Sequence, residues 1–197
     1  ARAAARALYE HSIKAESADL AQYCQRMYAA AELLVSTRPT AVSLPNAVNL
    51  VMKPLKNESD LFTARRNLEE RALAFVKRSE EAVSRIGTIG ARHIRDGDVV
   101  MTHCNSEAAL ACILKAHQQG MDIEVYATEV RPRNQGHITA KTLSDAGIKT
   151  NFIVDSAARY FMKEVDICIT GADAITVNGS IINKIGTSQI ALAAHEA

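Results

Sequence analysis

The sequence predicts an α/β protein: a helical N-terminal domain over residues 1–93, then a Rossmann-like parallel-sheet domain over 94–197, reading as truncated at both ends. Two observations carry this. Up to about Ile94 apolar residues recur at helical spacing with no strand signal. Beyond it, short and nearly continuous apolar runs alternate with helical stretches, the pattern of βαβ units whose sheet is covered on both faces.

In the first half, Leu61, Ala64, Leu68, Ala72, Phe75, Val76, Val83 and Ile86 fall on one helical stripe. Asn57 is the expected N-cap, with Glu58 and Asp60 in the first turn, where acidic groups complement the helix dipole. Gly87 and Gly90 are expected to end that helix. Upstream, Ser17 is the expected cap of a helix carrying Leu20, Tyr23, Met27, Ala31 and Leu34. It should stop near Arg38, because Pro39 disfavours the α region for its predecessor. A short helix is expected over Leu44–Met52, and the opening Ala1–Tyr9 reads as helix interior.

In the second half, strands are expected over 98–103, 123–128, 150–154 and 166–170, with helices over 106–119, 139–145 and 157–163. The segment 174–182 reads as a hairpin turning on Asn178-Gly179, a strong two-residue turn signal. A last helix starts at Thr187 and reaches Ala197 without a cap, so residues are expected to be missing there as well as before Ala1.

Bulk properties narrow the function. Formal net charge is +1, so no global field draws the chain to nucleic acid or an acidic membrane. No apolar run approaches the roughly 20 residues of a membrane span. Cys24, Cys104, Cys112 and Cys168 lie far apart with no CxxC pair, which suits reduced thiols in a cytoplasmic protein. The histidines show no metal-ligand spacing, and there is no P-loop or GxGxxG fingerprint.

Ligands of open parallel sheets bind beyond the carboxyl ends of the strands. That rule selects 103–106, 129–136, Asp155-Ser156 and 171–173. Cys104 stands before a helix N-terminus, a setting that favours a thiolate; a buried, inert cysteine is the competing reading. Asp173 closes an apolar strand, where a carboxyl can serve as an acid; a turn-capping Asp is the alternative. Arg131 and Arg133 suit phosphate oxygens, although two surface arginines need no ligand. Asn183-Lys184 before Gly186-Thr187-Ser188 is a second anion-binding arrangement and Arg38 a third. His103 either tunes the thiol or points to the opposite face.

Five motifs in order, Thr-Arg-Pro-Thr-Ala at 37–41, Thr-His-Cys-Asn-Ser at 102–106, Arg-Pro-Arg-Asn-Gln-Gly at 131–136, Gly-Ala-Asp at 171–173 and Asn-Gly-Ser-Ile-Ile-Asn-Lys-Ile-Gly-Thr at 178–187, resemble one superfamily. It contains methylthioribose-1-phosphate isomerases, ribose-1,5-bisphosphate isomerases, and the alpha, beta and delta regulatory subunits of the exchange factor for translation initiation factor two. The resemblance covers essentially the whole chain and is nearest to the ribose-1,5-bisphosphate isomerases of nucleoside-monophosphate (AMP) salvage. It implies Cys104 and Asp173 as the catalytic pair and Arg38, Ser106, Arg131, Gln135, Asn183 and Lys184 as sugar-phosphate ligands. It implies that Asp173 protonates the ring oxygen while Cys104 takes the C2 proton through a cis-phosphoenolate, with a C2-to-C1 hydride shift as the competing route. No metal or redox cofactor is implied; AMP is carried over as a candidate allosteric activator, and a homo-oligomer, dimer or hexamer, as the assembly. The family's glycine-rich phosphate loop is expected before Ala1, and its last strands with a further phosphate-binding lysine after Ala197.

Two other readings stand beside this one. Methylthioribose-1-phosphate isomerases usually carry a small residue and Gly after Cys-Asn, where this chain has Ser106-Glu107. The regulatory subunits are non-catalytic and generally lack the Cys/Asp pair.

Overall fold

The computed structural model describes residues 1–38 and 42–197, so the turn expected at Pro39 lies outside the described residues. The chain forms two compact units, Ala1–Glu81 and Ala82–Ala197.

The first unit holds α1 (Arg2–Lys14), α2 (Leu20–Ser36), α3 (Ser43–Met52), a 3-10 turn (Lys53–Lys56) and the first part of α4 (Leu61–Gly90). Their apolar stripes meet in one core built on Leu8, Tyr23, Met27, Val51 and Leu68, all fully buried. One polar set sits inside it: the Ser12 hydroxyl donates to Glu69 Oε1 at 2.9 Å and shares a 2.6 Å hydrogen bond with the Tyr23 hydroxyl. Arg65 lies over the Tyr23 ring and donates to the Ala15 carbonyl at 2.7 Å. The cluster satisfies polar atoms that burial would otherwise leave unpaired.

Both caps differ from expectation by two or three residues. Asp19, not Ser17, accepts from the Gln22 N–H, and Asp60, not Asn57, accepts from the Thr63 N–H, each at 2.8 Å. The Thr63 N–H, helped by the Thr63 hydroxyl, holds the Asp60 carboxyl below its ordinary range. The cap is the residue whose side chain reaches the N–H three positions on, and Asp19 and Asp60 stand immediately before the first helical residue.

Gly90 is the last residue of α4, as expected, whereas the helix runs straight through Gly87. A Cβ at Gly87 would lie 2.9 Å from the Ala111 carbonyl oxygen, and one at Gly90 would lie 2.2 Å from Cys112 Sγ. The glycines let α4 approach α5 (Glu107–Gln118) more closely than any side chain would allow.

The second unit is a four-stranded sheet of β1 (Val99–His103), β2 (Glu124–Thr128), β3 (Lys149–Ile153) and β4 (Ile167–Thr170). All are parallel in the order β3-β2-β1-β4. The strands begin one residue later than expected, except β3, which begins one earlier. Val100, Val125 and neighbouring residues bury one face with α5 and α6 (Gly136–Asp145). Met101, Tyr126 and Ile153 bury the other with α7 (Ala158–Phe161) and α8 (Thr187–Glu196). β5 (Ala174–Ile175) and β6 (Ile181–Ile182) pair antiparallel. Their connection is longer than the two-residue turn expected. Thr176 N–H bonds the Ser180 carbonyl, Gly179 N–H bonds the Thr176 carbonyl, and Gly179 sits at φ 84. Asn178-Gly179 thus forms part of a three-residue turn with glycine at the left-handed position.

Tyr126 donates to Glu164 Oε2 at 2.9 Å, and burial, reinforced by that carboxylate, pushes its phenol up to about 12. A folded-state value above the ordinary one of about 10 contributes stability that is intact below pH ~10 and is lost as pH rises toward the folded value. Denaturant midpoints should therefore fall steeply between about pH 10 and 12, and Tyr126→Phe should flatten that fall. Some slope will remain, because burial raises Tyr23 too. An unchanged slope in Tyr126→Phe would refute the assignment.

Candidate active site

The sheet order has a switch point. Strands run outward from β1 to β2 to β3, and the chain then returns to place β4 on the other side of β1. The crevice of such a sheet opens between the carboxyl ends of the two strands that flank the switch, here β1 and β4. His103 is paired with Thr170, so Cys104 leaves β1 level with Gly171, two residues before Asp173.

Cys104 is 9% exposed and belongs to none of the three apolar clusters. Its backbone is left-handed, φ 71, a conformation that costs a non-glycine residue energy and turns the chain sharply out of the strand. Thr139 of α6 holds that turn: its buried hydroxyl donates to the Cys104 carbonyl at 2.8 Å and lies 3.2 Å from Asn105 Oδ1. The thiol itself is directed at Gln135 Oε1, 3.6 Å away. Ser106 caps α5 by accepting from the Ala109 N–H.

Three loops close on this turn. Gly171 presses against Ser106, since a Cβ there would come 2.5 Å from the Ser106 hydroxyl. The loop 131–136 brings Gln135 to the thiol and is pinned at its root by Asp155, whose two carboxylate oxygens accept the Val130 and Arg131 N–H groups at 2.8 Å each. Val130 has φ 64, rare for a β-branched residue, and the Arg131–Pro132 peptide is cis. The loop 183–187 lies against His103, whose Nε2 is 2.8 Å from the Ile185 carbonyl. Asn183 donates to Thr187 Oγ1 at 3.1 Å, and Gly186, at φ 99, leads into α8.

Cys104, Ser106, Gln135 and the Asn183-Lys184 loop thus converge on the end of β1. Arg131 is exposed at the root of the loop carrying Gln135. Asp173 is exposed as well, with its N–H bonded to the Ile182 carbonyl at 2.8 Å. β4, the edge strand from which it follows, is half buried along its length. Arg38 is exposed at the end of α2, in the other unit. Cys24, Cys112 and Cys168 lie in helix or strand, and burial pushes each thiol up, away from reactivity.

Sequence reasoning passed over Thr139, Thr128 and the tasks of His103 and Asp155. Only the last two carried a signal, as polar residues at strand ends.

The pattern of the Initiation factor 2 subunit family matches residues 1–197. The chain belongs to that family. Among its members, this chain is 52% identical over 195 residues to the ribose 1,5-bisphosphate isomerase of Methanocaldococcus jannaschii, covering 99% of this chain and 62% of that protein. It is 55% identical over 183 residues to the enzyme of the same name from Archaeoglobus fulgidus, covering 93% and 58%. A methylthioribose-1-phosphate isomerase from Thermosipho africanus is more distant, 37% over 187 residues, covering 89% and 54%. Among solved structures, a Pyrococcus horikoshii translation initiation factor eIF-2B superposes with TM-score 0.86 at 33% identity, covering 99% of this chain and 67% of that one. The 5-methylthioribose 1-phosphate isomerase of the same organism gives 0.85 at 31%, covering 99% and 58%. The chain therefore spans about three-fifths of the length of the curated family members it matches.

Proposed function

We propose that this chain carries the catalytic centre of a sugar-phosphate isomerase that converts ribose 1,5-bisphosphate to ribulose 1,5-bisphosphate. The observation that carries the reading is Cys104: a thiol held in a left-handed turn at the end of β1, level with the Gly171–Asp173 loop across the switch point. The names of the relatives that are about half identical supply the substrate. Reduced identity to the methylthioribose-1-phosphate enzyme, and Ser106-Glu107 after Cys-Asn, weigh against that second substrate.

Because O1 carries phosphate, the sugar cannot open as a free aldehyde does. Asp173 donates a proton to the ring oxygen as the bond from C1 to that oxygen breaks, and Cys104 removes the C2 proton. The resulting enol, double-bonded between C1 and C2, takes a proton back at C1 from the Cys104 thiol while the Asp173 carboxylate takes the C2 hydroxyl proton, which leaves the ketone and restores the acid. Arg131, Lys184 and Asn183 supply donors for the phosphates and hydroxyls, with Gln135 and Ser106 beside the reacting carbons.

The test is ribulose 1,5-bisphosphate formation by the full-length protein, with and without AMP. Asp173→Asn keeps the shape and removes the acid, so kcat should fall by about 10²–10⁴. Undiminished turnover in that variant removes Asp173 from the chemistry, and turnover of methylthioribose 1-phosphate alone transfers the reading to the second substrate.

A further inference from the structure

His103 is 1% exposed, and both ring nitrogens are engaged. Strand alternation turns it away from the thiol that follows it in the chain. Nδ1 lies 2.7 Å from the buried Thr128 hydroxyl at the end of β2, and 4.0 Å from Asp155 Oδ1 beyond β3. Nε2 lies 2.8 Å from the Ile185 carbonyl. A carbonyl only accepts, so Nε2 carries the hydrogen, and in the neutral ring Nδ1 accepts from Thr128. Gly186 is flush against the ring, where a Cβ would come 2.8 Å from Cε1.

The ring is therefore a strut between rigid sheet and functional loop. On one side stand the ends of β1 and β2, and next to them Asp155, which fixes the Val130 and Arg131 amides. On the other stands the segment Asn183–Thr187, in which the polar side chains of Asn183 and Lys184 precede the carbonyl that the ring holds. Nothing apolar of that size could satisfy the Ile185 carbonyl and the Thr128 hydroxyl together, and an unmade buried hydrogen bond is costly.

We propose that His103 is a positioning residue that fixes the Asn183–Thr187 loop over the end of β1 through its Nε2–H bond to the Ile185 carbonyl. It acts on substrate through that loop and does not touch the reacting atoms; the proposal rests on the reading of Asn183 and Lys184 as sugar-phosphate ligands. Losing the strut loosens the loop and weakens ground-state binding more than it slows chemistry at Cys104.

The experiment compares wild type, His103→Leu, His103→Gln and Thr128→Val in the full-length protein by steady-state kinetics and peptide-resolved hydrogen exchange. In His103→Leu, KM for ribose 1,5-bisphosphate should rise roughly tenfold or more, with a smaller change in kcat. His103→Gln, whose amide still offers a donor, should recover part of the loss. Thr128→Val, which removes only the far anchor, should fall between and guards against the case in which His103→Leu does not fold. Exchange should quicken for amides of 184–190, where Thr187 bonds Lys184 and Gln189 bonds Gly186, and stay unchanged in β1 and β2. Unchanged KM and unchanged loop exchange overturn the proposal, as does loosening spread evenly through the sheet. If wild type shows no turnover, the isomerase reading fails by itself, and the exchange pattern still decides whether His103 holds the loop.

Discussion

Cys104→Ser should abolish isomerisation, lowering kcat by about 10²–10⁴ or more, while leaving the melting temperature unchanged within about a degree. The reactive form of a cysteine is the thiolate, and an alcohol offers no equivalent anion near neutral pH. Serine is nearly isosteric, and the contacts that fix the turn belong to the backbone: Thr139 holds the Cys104 carbonyl, not its sulfur. Only the weak contact to Gln135 is altered. Loss of turnover with intact folding thus isolates the chemistry. Wild-type enzyme separates the two routes in heavy water: proton transfer through the exchangeable Cys104 thiol predicts solvent deuterium at C1 of some product, whereas a hydride shift carries the C2 hydrogen to C1 with no solvent label. Full activity in the serine variant removes the thiol from the mechanism.

The second large effect is expected at a residue that carries no functional group. Gly136 opens α6, and a Cβ there would lie 1.8 Å from the Thr128 carbonyl oxygen and 2.8 Å from its carbon. Both neighbours are backbone at the end of β2, so no side chain can swing aside. Overpacking typically costs about 1–3 kcal/mol, and backbone that cannot yield puts Gly136→Ala at or above the top of that range. Residual folded protein should also lose activity. Moving the start of α6 displaces Gln135 from the thiol and Thr139 from the Cys104 carbonyl. Denaturant unfolding and turnover measured on the same preparation check both parts. A Gly136→Ala protein with wild-type stability would show that the approach is looser than these distances require.

Much of this arrangement was legible in the residues. Periodicity placed every strand to within a residue, and the rule that ligands sit at strand ends selected Cys104, Gln135, Asp155 and Asp173. What local pattern could not supply was distance across the fold. Gly87 has the look of a helix stop, yet the helix runs on to Gly90, and both glycines lie against α5. Ser17 and Asn57 are good capping residues, but Asp19 and Asp60 stand where the side chain meets the free N–H. Thr139 is an ordinary helical threonine until the fold sets it beneath the Cys104 carbonyl.

The left-handed turn at Cys104 also bears on how such a protein could change its trade. Glycine, asparagine and aspartate adopt that backbone more readily than cysteine does, and β-branched residues adopt it worst. Exchanging the thiol for one of the first three would relieve local strain while removing reactivity, so a scaffold freed from chemistry has a downhill path away from it. The route back runs uphill. Loss of catalysis at this position should therefore be gained as stability, and re-creating a working thiol on a silent scaffold should require reinforcement such as the Thr139 anchor supplies here.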